Sequence, residues 1–284
     1  MSKKPRFKRS SVTGTLSPKI PDSVVDIITV VYGKPKFVKD LAETLFSFDA
    51  GVTFRWIIVD NDGPASDKAE LEKIYASLKN NVYLVWSMKN LGFSGGNNLG
   101  FNRVKKAPYV LLLNSDIKVK KNGWLKAMVD EMEADKQVGV VGAKLLYFED
   151  SVDPLRPAGK IQHAGVAFNM LGQPYHIFMG WSPDNPKVTV RREMKCVTGA
   201  CLLTRTDLYK KIGGLAEEYT IGNFEDVEYC LRTRALGYKV VYTPNAELYH
   251  FAGGSNNTAT AQYNEQLFRL RCGSITEYDE WRYY

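Results

Sequence analysis

The sequence predicts an α/β fold with a mostly parallel central sheet, and three observations carry that prediction. Between residues 24 and 116, segments of strand and helix character alternate strictly, the signature of parallel strands joined by right-handed crossovers. One of them, Val110 to Leu113, is an unbroken apolar run that fits a strand buried on both faces. Each later strand of this half runs into polar or glycine-rich residues, and open α/β sheets place ligands at that edge.

The elements follow in order. Val24 to Tyr32 reads as a strand, and Gly33-Lys34-Pro35 as the turn that starts a helix. Phe37, Val38, Leu41, Leu45 and Phe46 recur at three- and four-residue steps and give that helix one apolar face. A second strand, Phe54 to Val59, ends in Asp60-Asn61-Asp62-Gly63. A polar helix is expected from Ser66 to Leu78, and a third strand from Val82 to Trp86. Asn90 to Gly100 reads as a glycine-rich loop, followed by a short helix to Lys106 and the strand that closes on Asn114-Ser115-Asp116. That loop matches neither G-x-G-x-x-G nor the Walker pattern. Its place between strand and helix nonetheless suits close backbone approach to a phosphate or sugar. The first 116 residues thus read as a nucleotide-binding half.

The second half is less regular. Trp124 to Met132 reads as a helix with Leu125, Met128, Val129 and Met132 on one face, and Val138 to Leu146 as a strand. Residues 149–195 show no clear period, so irregular structure is expected, with a hairpin through His163 to Met170. Cys196 to Leu203 resumes a strand, and Thr206 to Ile212 a helix closed by Gly213-Gly214. A further helix starts at Glu225-Asp226, carries the apolar stripe Val227, Leu231 and Ala235, and stops at Gly237. Carboxylates at a helix start complement its dipole, and one held ionised there also suits a general base. Glu228 and Arg232 are spaced for a structural ion pair. An Asp after a strand, such as Asp116, is ordinarily a turn or cap, and a single histidine such as His250 is ordinarily structural.

Composition narrows the class. With 44% hydrophobic and 12% aromatic residues, 284 residues form a packed protein. Residues 1–21 carry six of the basic residues and no acidic one, so the net charge of +7 belongs almost wholly to a basic tail, expected to be mobile. Such a tail reads either as a solvated linker or as a docking element for an anionic membrane surface or DNA. No apolar run approaches the roughly 18 residues that span a bilayer. The start has no signal-peptide core, and the four cysteines lack C-x-x-C spacing. A cytoplasmic protein is expected, with an inner membrane face as a peripheral option.

Seven pieces together resemble a known family. They are Thr29-Val30-Val31-Tyr32, Val59-Asp60-Asn61, the Asn90 to Gly100 segment, Leu113 to Asp116, Thr198-Gly199-Ala200, Phe224 to Arg232, and Tyr249-His250. In this order, across residues 24 to 256, the set resembles the family 2 glycosyltransferases of the GT-A fold, especially the rhamnosyltransferase-like branch. The resemblance implies a tail (1–21), a GT-A domain (22–256, with nucleotide-sugar half 22–116 and acceptor half 117–256) and a C-terminal helix and tail (257–284). It implies that Asp116 binds Mn²⁺ or Mg²⁺ with His250 as second ligand, and that Asp226 is the catalytic base beside Glu225. Val31, Tyr32, Asp60, Asn90, Gly92, Phe93, Gly96, Asn97, Asn114 and Ser115 would line the nucleotide-sugar site, with Asp60 on the nucleobase. Gly199 and Trp181 would lie on the acceptor side.

The chemistry implied is inverting transfer of a hexosyl or deoxyhexosyl group from a nucleotide-diphosphate sugar to a glycan or lipid-linked acceptor, as in polysaccharide biosynthesis. DNA as acceptor, or a non-catalytic sugar-nucleotide or nucleic-acid binder, are the alternatives. A nucleotidyltransferase is disfavoured, because Gly33-Lys34-Pro35-Lys36 is a poor match to its basic loop. Two positions depart from the family pattern, Leu215-Ala216-Glu217 for Phe-Asp-Glu and Glu228 for Asp. Both bear on the acceptor side.

Overall fold

The computed structural model describes residues 23–78, 81–251 and 258–284, so the basic tail lies outside the described residues. The first half alternates as expected: β1 (Val25–Val31), α1 (Pro35–Ser47), β2 (Phe54–Asp60), α2 (Ala65–Ser77), β3 (Val82–Trp86), α3 (Gly92–Phe101) and β4 (Tyr109–Leu113). β5 (Ile117–Val119), α4 (Trp124–Ala134) and β6 (Val138–Leu146) follow. Four short strands come next: β7 (Ile161–His163), β8 (Val166–Phe168), β9 (Pro174–His176) and β10 (Arg192–Met194). The chain closes with β11 (Cys201–Arg205), α5 (Thr206–Ile212), α6 (Glu225–Ala235), β12 (Lys239–His250) and α7 (Thr258–Cys272).

The main sheet runs β10-β12-β6-β11-β4-β1-β2-β3. β4, β1, β2 and β3 are parallel, as are β6 and β12, while β11 and β10 run against their neighbours. β11 joins the two halves into one continuous sheet by pairing with β4 on one side and β6 on the other. β4 and β6 are buried on both faces, which explains why β4 reads as a continuous apolar run and β6 as one broken only by Lys144. One face packs on α1, α2 and α4 through Leu41, Leu71, Trp124 and Met128. The other packs on the side of α3, α5, α6 and α7 through Tyr209, Tyr229, Leu231 and Phe268.

Three expectations are corrected. The Asn90 to Gly100 segment is mostly helix, and that helix ends at Phe101 rather than Lys106. Glycine disfavours a helix, but here it is the packing that needs it. A Cβ on Gly96 would lie 2.6 Å from Val30, and one on Gly100 2.6 Å from Ile28, so α3 can lie against the sheet only without side chains there. The hairpin is β8 with β9, displaced from residues 163–170, because Gly165, at φ +117°, turns the chain and sends β7 to pair with β6 instead. β11 begins at Cys201, since Thr198 to Ala200 leave the ladder as a turn. Glu228 does meet Arg232, at 3.5 Å, but its closer partner is Arg271 of α7, which donates from Nε and Nη2 at 2.9 and 2.7 Å.

Candidate active site

Strand pairing builds the first cluster. β5 runs antiparallel to β12 with Ile117 opposite His250, so Asp116 at the end of the Asn114-Ser115-Asp116 turn is brought beside that imidazole. Phe251 N–H donates to the Asp116 carbonyl at 3.1 Å and fixes the approach. His250 Nε2 lies 3.2 Å from Asp116 Oδ1 and 3.2 Å from Asn114 Nδ2. On the other side of the ring, Nδ1 is 3.1 Å from Gln162 Oε1. Burial pushes the Asp116 carboxyl up, but His250 in its protonated form, hydrogen bonding and Lys34 outweigh it and hold it below the ordinary carboxylate value.

These residues fit a divalent cation. Gln162 Oε1 can only accept, so His250 Nδ1 carries the proton in the neutral ring and Nε2 presents a lone pair beside a carboxylate oxygen. Two acceptors 3.2 Å apart suit a cation held by both. Among the described residues no three His, Cys, Asp or Glu side chains gather to hold a metal. A pair of ligands completed by substrate phosphates and water is the usual manner for Mg²⁺, and an imidazole favours Mn²⁺.

A second cluster forms where α3, the Thr198 to Ala200 turn and α6 converge. Asp226 Oδ2 accepts the Gly199 N–H at 2.6 Å and Oδ1 accepts the Val227 N–H at 2.8 Å. A Cβ on Gly199 would stand 3.1 Å from Asp226 Cβ and 3.2 Å from the Phe93 ring. Glu225, adjacent in sequence, points elsewhere: it is buried, and its Oε2 finds no hydrogen-bond partner among the described residues. Burial and the neighbouring Asp226 push its carboxyl up to about 8. The two carboxyls therefore differ in character, with Asp226 solvated by amides and Glu225 kept neutral.

The segment leading into them is strained. Ile221, Asn223 and Phe224 all hold positive φ, at 64°, 99° and 73°. Each such residue costs of order 1–3 kcal/mol and persists only where its surroundings over-determine it. Here Phe93 N–H donates to the Ile221 carbonyl at 2.7 Å. Asn264 of α7 accepts from Thr220 N–H and donates to the Thr220 and Gly222 carbonyls, and Phe224 stacks on Phe268.

The expected donor residues divide between surface and interior. Tyr32 is half-exposed at the end of β1, whereas Val31 is buried. Asp60 ends β2 and accepts from Tyr75 Oη at 3.1 Å, and the exposed Trp86 ring meets Tyr75 edge-on. Asn90 and Gly92 belong to a backbone clamp with Asn61: Asn90 Oδ1 accepts from Asn61 Nδ2 and from the Gly92 N–H. Gly96 and Asn97 are inside α3, and Asn97 Nδ2 is spent on the Phe93 carbonyl. Asn114 N–H donates to the Ala200 carbonyl, tying the Asn114 to Asp116 turn to the turn at Gly199. Ser115 is half-buried in that turn. Trp181 packs against Phe178 and Tyr284. Sequence reasoning missed Lys34, Gln162 and Asn264, none of which carries a motif.

With the fold in view, the class is defined: the architecture is that of the GT-A glycosyltransferases. The chain belongs to glycosyl transferase family 2, whose model matches residues 26–213. It is 30% identical over 220 residues to the uncharacterized protein y4gI of Sinorhizobium fredii (strain NBRC 101917 / NGR234), covering 76% of this chain and 23% of that protein. It is 27% identical over 267 residues to the O-antigen biosynthesis protein RfbC of Myxococcus xanthus, covering 92% of this chain and 19% of that protein. The chain thus spans about a quarter or less of these relatives. In structure it resembles GalNAc-T7 with UDP, GalNAc and Mn²⁺ (TM-score 0.68, 12% identity, 88% of this chain and 48% of that one). It also resembles the mannosyltransferase PcManGT from Pyrobaculum calidifontis with GDP-Man and Mn²⁺ (TM-score 0.63, 12% identity, 90% and 66%). Among the described residues no helix is long and apolar enough to cross a membrane.

Proposed function

We propose that this family 2 glycosyltransferase transfers a hexosyl or deoxyhexosyl group from a nucleotide-diphosphate sugar to a hydroxyl of a glycan or lipid-linked acceptor, with inversion. The observation that carries the reading is the division of labour between the two clusters: an Asp116–His250 pair suited to a cation, and an Asp226 carboxylate held by two amides. Asp116 and His250 would hold Mg²⁺ or Mn²⁺, which when bound stabilises negative charge on the departing diphosphate. Asp226 takes the proton of the acceptor hydroxyl as its oxygen attacks the anomeric carbon. Glu225, being neutral, leaves the negative charge on Asp226. Asp60 accepts an N–H of the nucleobase, and Tyr32 lies on the same strand-end edge. The O-antigen relative supports a polysaccharide-building role and the rhamnosyltransferase-like branch.

The test is a donor screen on the full chain with Mn²⁺ or Mg²⁺, reading nucleoside diphosphate release with candidate glycan and lipid-linked acceptors. Release that depends on acceptor and is lost in Asp226→Asn supports the reading. NMR of the product then reports the anomeric configuration, and retention would overturn inversion. No release above the Asp226→Asn background with any donor would overturn the transferase assignment.

A further inference from the structure

All three histidines of the chain bear on the site, although only His250 stands beside Asp116. His163 and His176 meet edge to face with centroids 4.7 Å apart. His176 Nδ1 is 3.1 Å from the Gln162 main-chain oxygen, and Gln162 Oε1 is 3.1 Å from His250 Nδ1. The neighbouring His163 accepts the Thr198 N–H at Nε2, at 3.4 Å, beside the Gly199 that holds Asp226. Two consecutive residues of β7 therefore reach both clusters of the site.

Gln162 has an unusual backbone position. Leu145 pairs with His163 but Leu146 pairs with Ile161, so β7 slips by one residue against β6 and Gln162 is the extra residue. A bulge of this kind re-aims a side chain out of the ladder's alternation, and bulges concentrate beside active sites. The Gln162 side chain is buried, and its oxygen is aimed at His250.

We propose that Gln162 is a positioning residue for the divalent cation: its side-chain carbonyl holds the Nδ1–H tautomer of His250 and so keeps the Nε2 lone pair facing Asp116. This inference rests on the metal reading above. The two amides flanking the ring agree with it, since Gln162 presents an acceptor to Nδ1 while Asn114 presents an N–H to Nε2. A neutral imidazole has one donor and one acceptor nitrogen, so the partner at Nδ1 decides what Nε2 offers. Without Gln162, the better-satisfied neutral form donates from Nε2 to Asp116 and has no lone pair for a cation. His176 secures the Gln162 main chain from behind, and burial lowers its pKa so that it stays a neutral donor there. Partners that orient a metal-binding histidine in this way are worth 10- to 100-fold in metal affinity.

Two readouts test it on the full chain, neither of them activity. The first is titration with Mn²⁺ alone, followed by the EPR signal of free Mn²⁺, for wild type, Asp116→Ala, Gln162→Met and Gln162→Glu. Gln162→Met is near-isosteric and lacks the acceptor, so its Kd should rise 10- to 100-fold, while Gln162→Glu keeps the acceptor and should bind at least as tightly as wild type. Wild-type affinity in Gln162→Met would overturn the proposal. If Asp116→Ala binds Mn²⁺ as wild type does, the metal reading itself falls. The second readout is the histidine ¹⁵N spectrum of the metal-free chain at pH 8.5, tractable with three histidines. His250 should be Nδ1–H in wild type and Nε2–H in Gln162→Met. The same tautomer in both would overturn the proposal, whatever the Mn²⁺ result. Should Gln162→Met not fold, an Nε2–H His250 in wild type alone overturns it, and Nδ1–H sustains it.

Discussion

The Asp226 carboxylate accepts the backbone N–H of Gly199 at 2.6 Å, across 27 residues of sequence. That contact joins α6 to the turn before β11, and the same turn meets the Asn114 amide through Ala200. Asp226 is thus referenced to the main sheet rather than only to its own helix. Its second oxygen takes the Val227 N–H at 2.8 Å. Replacing Asp226 with Asn keeps the shape and removes the proton acceptor. Turnover should fall by roughly 10²–10⁴-fold with donor affinity retained, the usual weight of general-base catalysis. Glu225→Gln should be milder, and steady-state kinetics with a donor-binding measurement separate the two. A fully active Asp226→Asn with a dead Glu225→Gln would move the base by one residue.

Metal removal tests the Asp116–His250 pair. Activity should be lost in EDTA and restored by Mn²⁺ or Mg²⁺. Asp116→Ala should abolish turnover while its melting temperature stays within a few degrees of wild type, because the carboxylate is held for a ligand more than for the core. Full turnover in EDTA would remove the cation from the reaction.

Glu225 makes stability depend on pH. Its folded value of about 8 stands above the ordinary 4.5. Between those values the folded chain keeps a proton that the unfolded chain has released, so this residue's contribution to stability falls as pH rises through the window. Below 4.5 both states are protonated and the effect vanishes. Glu225→Gln removes the titration, so the variant's melting temperature should rise relative to wild type between pH 5 and pH 8. Calorimetry at both values reads it, and a constant difference across the two would contradict the buried neutral carboxyl.

The parts of this architecture legible in sequence are those where one local rule suffices. β1 to β4 are short apolar runs ended by turn residues, and β3 and β6 fall where the residue pattern places them. Asp60, Asp116, Asp226 and His250 stand out through the family resemblance, since a turn aspartate or a single histidine is by itself ordinarily structural. The rest depends on tertiary contacts that no local pattern records. α3 carries glycines inside a helix because Val30 and Ile28 leave no room for side chains at Gly96 and Gly100. β12 runs through Pro244-Asn245, which reads as a breaker, and absorbs them where its register against β6 shifts between Thr243 and Glu247. Gln162 is defined by a register slip and Asn264 by backbone groups 42 to 44 residues away.

Asn264 holds the strained approach to α6. Three hydrogen bonds to the backbone of Thr220 and Gly222 brace a segment in which Ile221, Asn223 and Phe224 hold positive φ. Asn264→Ala removes these hydrogen bonds from part-exposed backbone groups and should cost about 1–3 kcal/mol in denaturant unfolding. Because the released strain lies next to Glu225 and Asp226, turnover should fall at temperatures where the variant is still fully folded. Unchanged turnover in the folded variant would show that the loop geometry is only structural.

The proposed contact between Asp60 and the nucleobase predicts which nucleotide the donor carries. It ends β2 at the strand edge shared with Tyr32, and one of its oxygens already accepts from Tyr75. Burial and Asp60 itself raise the Tyr75 pKa well above that of a free phenol, so the hydroxyl stays a donor. One carboxylate oxygen is left for the base, and as an acceptor it can be met only by an N–H. Uracil, thymine and guanine carry an N–H at the centre of their pairing edge, whereas adenine and cytosine carry a lone pair there that would face the carboxylate. Uridine, thymidine or guanosine diphosphate should therefore bind more tightly than the adenosine and cytidine diphosphates by isothermal titration. Asp60→Asn can offer an N–H in place of the oxygen, and should narrow that preference while leaving the fold intact. Tyr75→Phe frees the second oxygen and should tighten guanosine diphosphate, with adjacent N1–H and N2–H donors, more than uridine diphosphate. Tighter adenosine than uridine or guanosine binding in wild type would take Asp60 out of the base site.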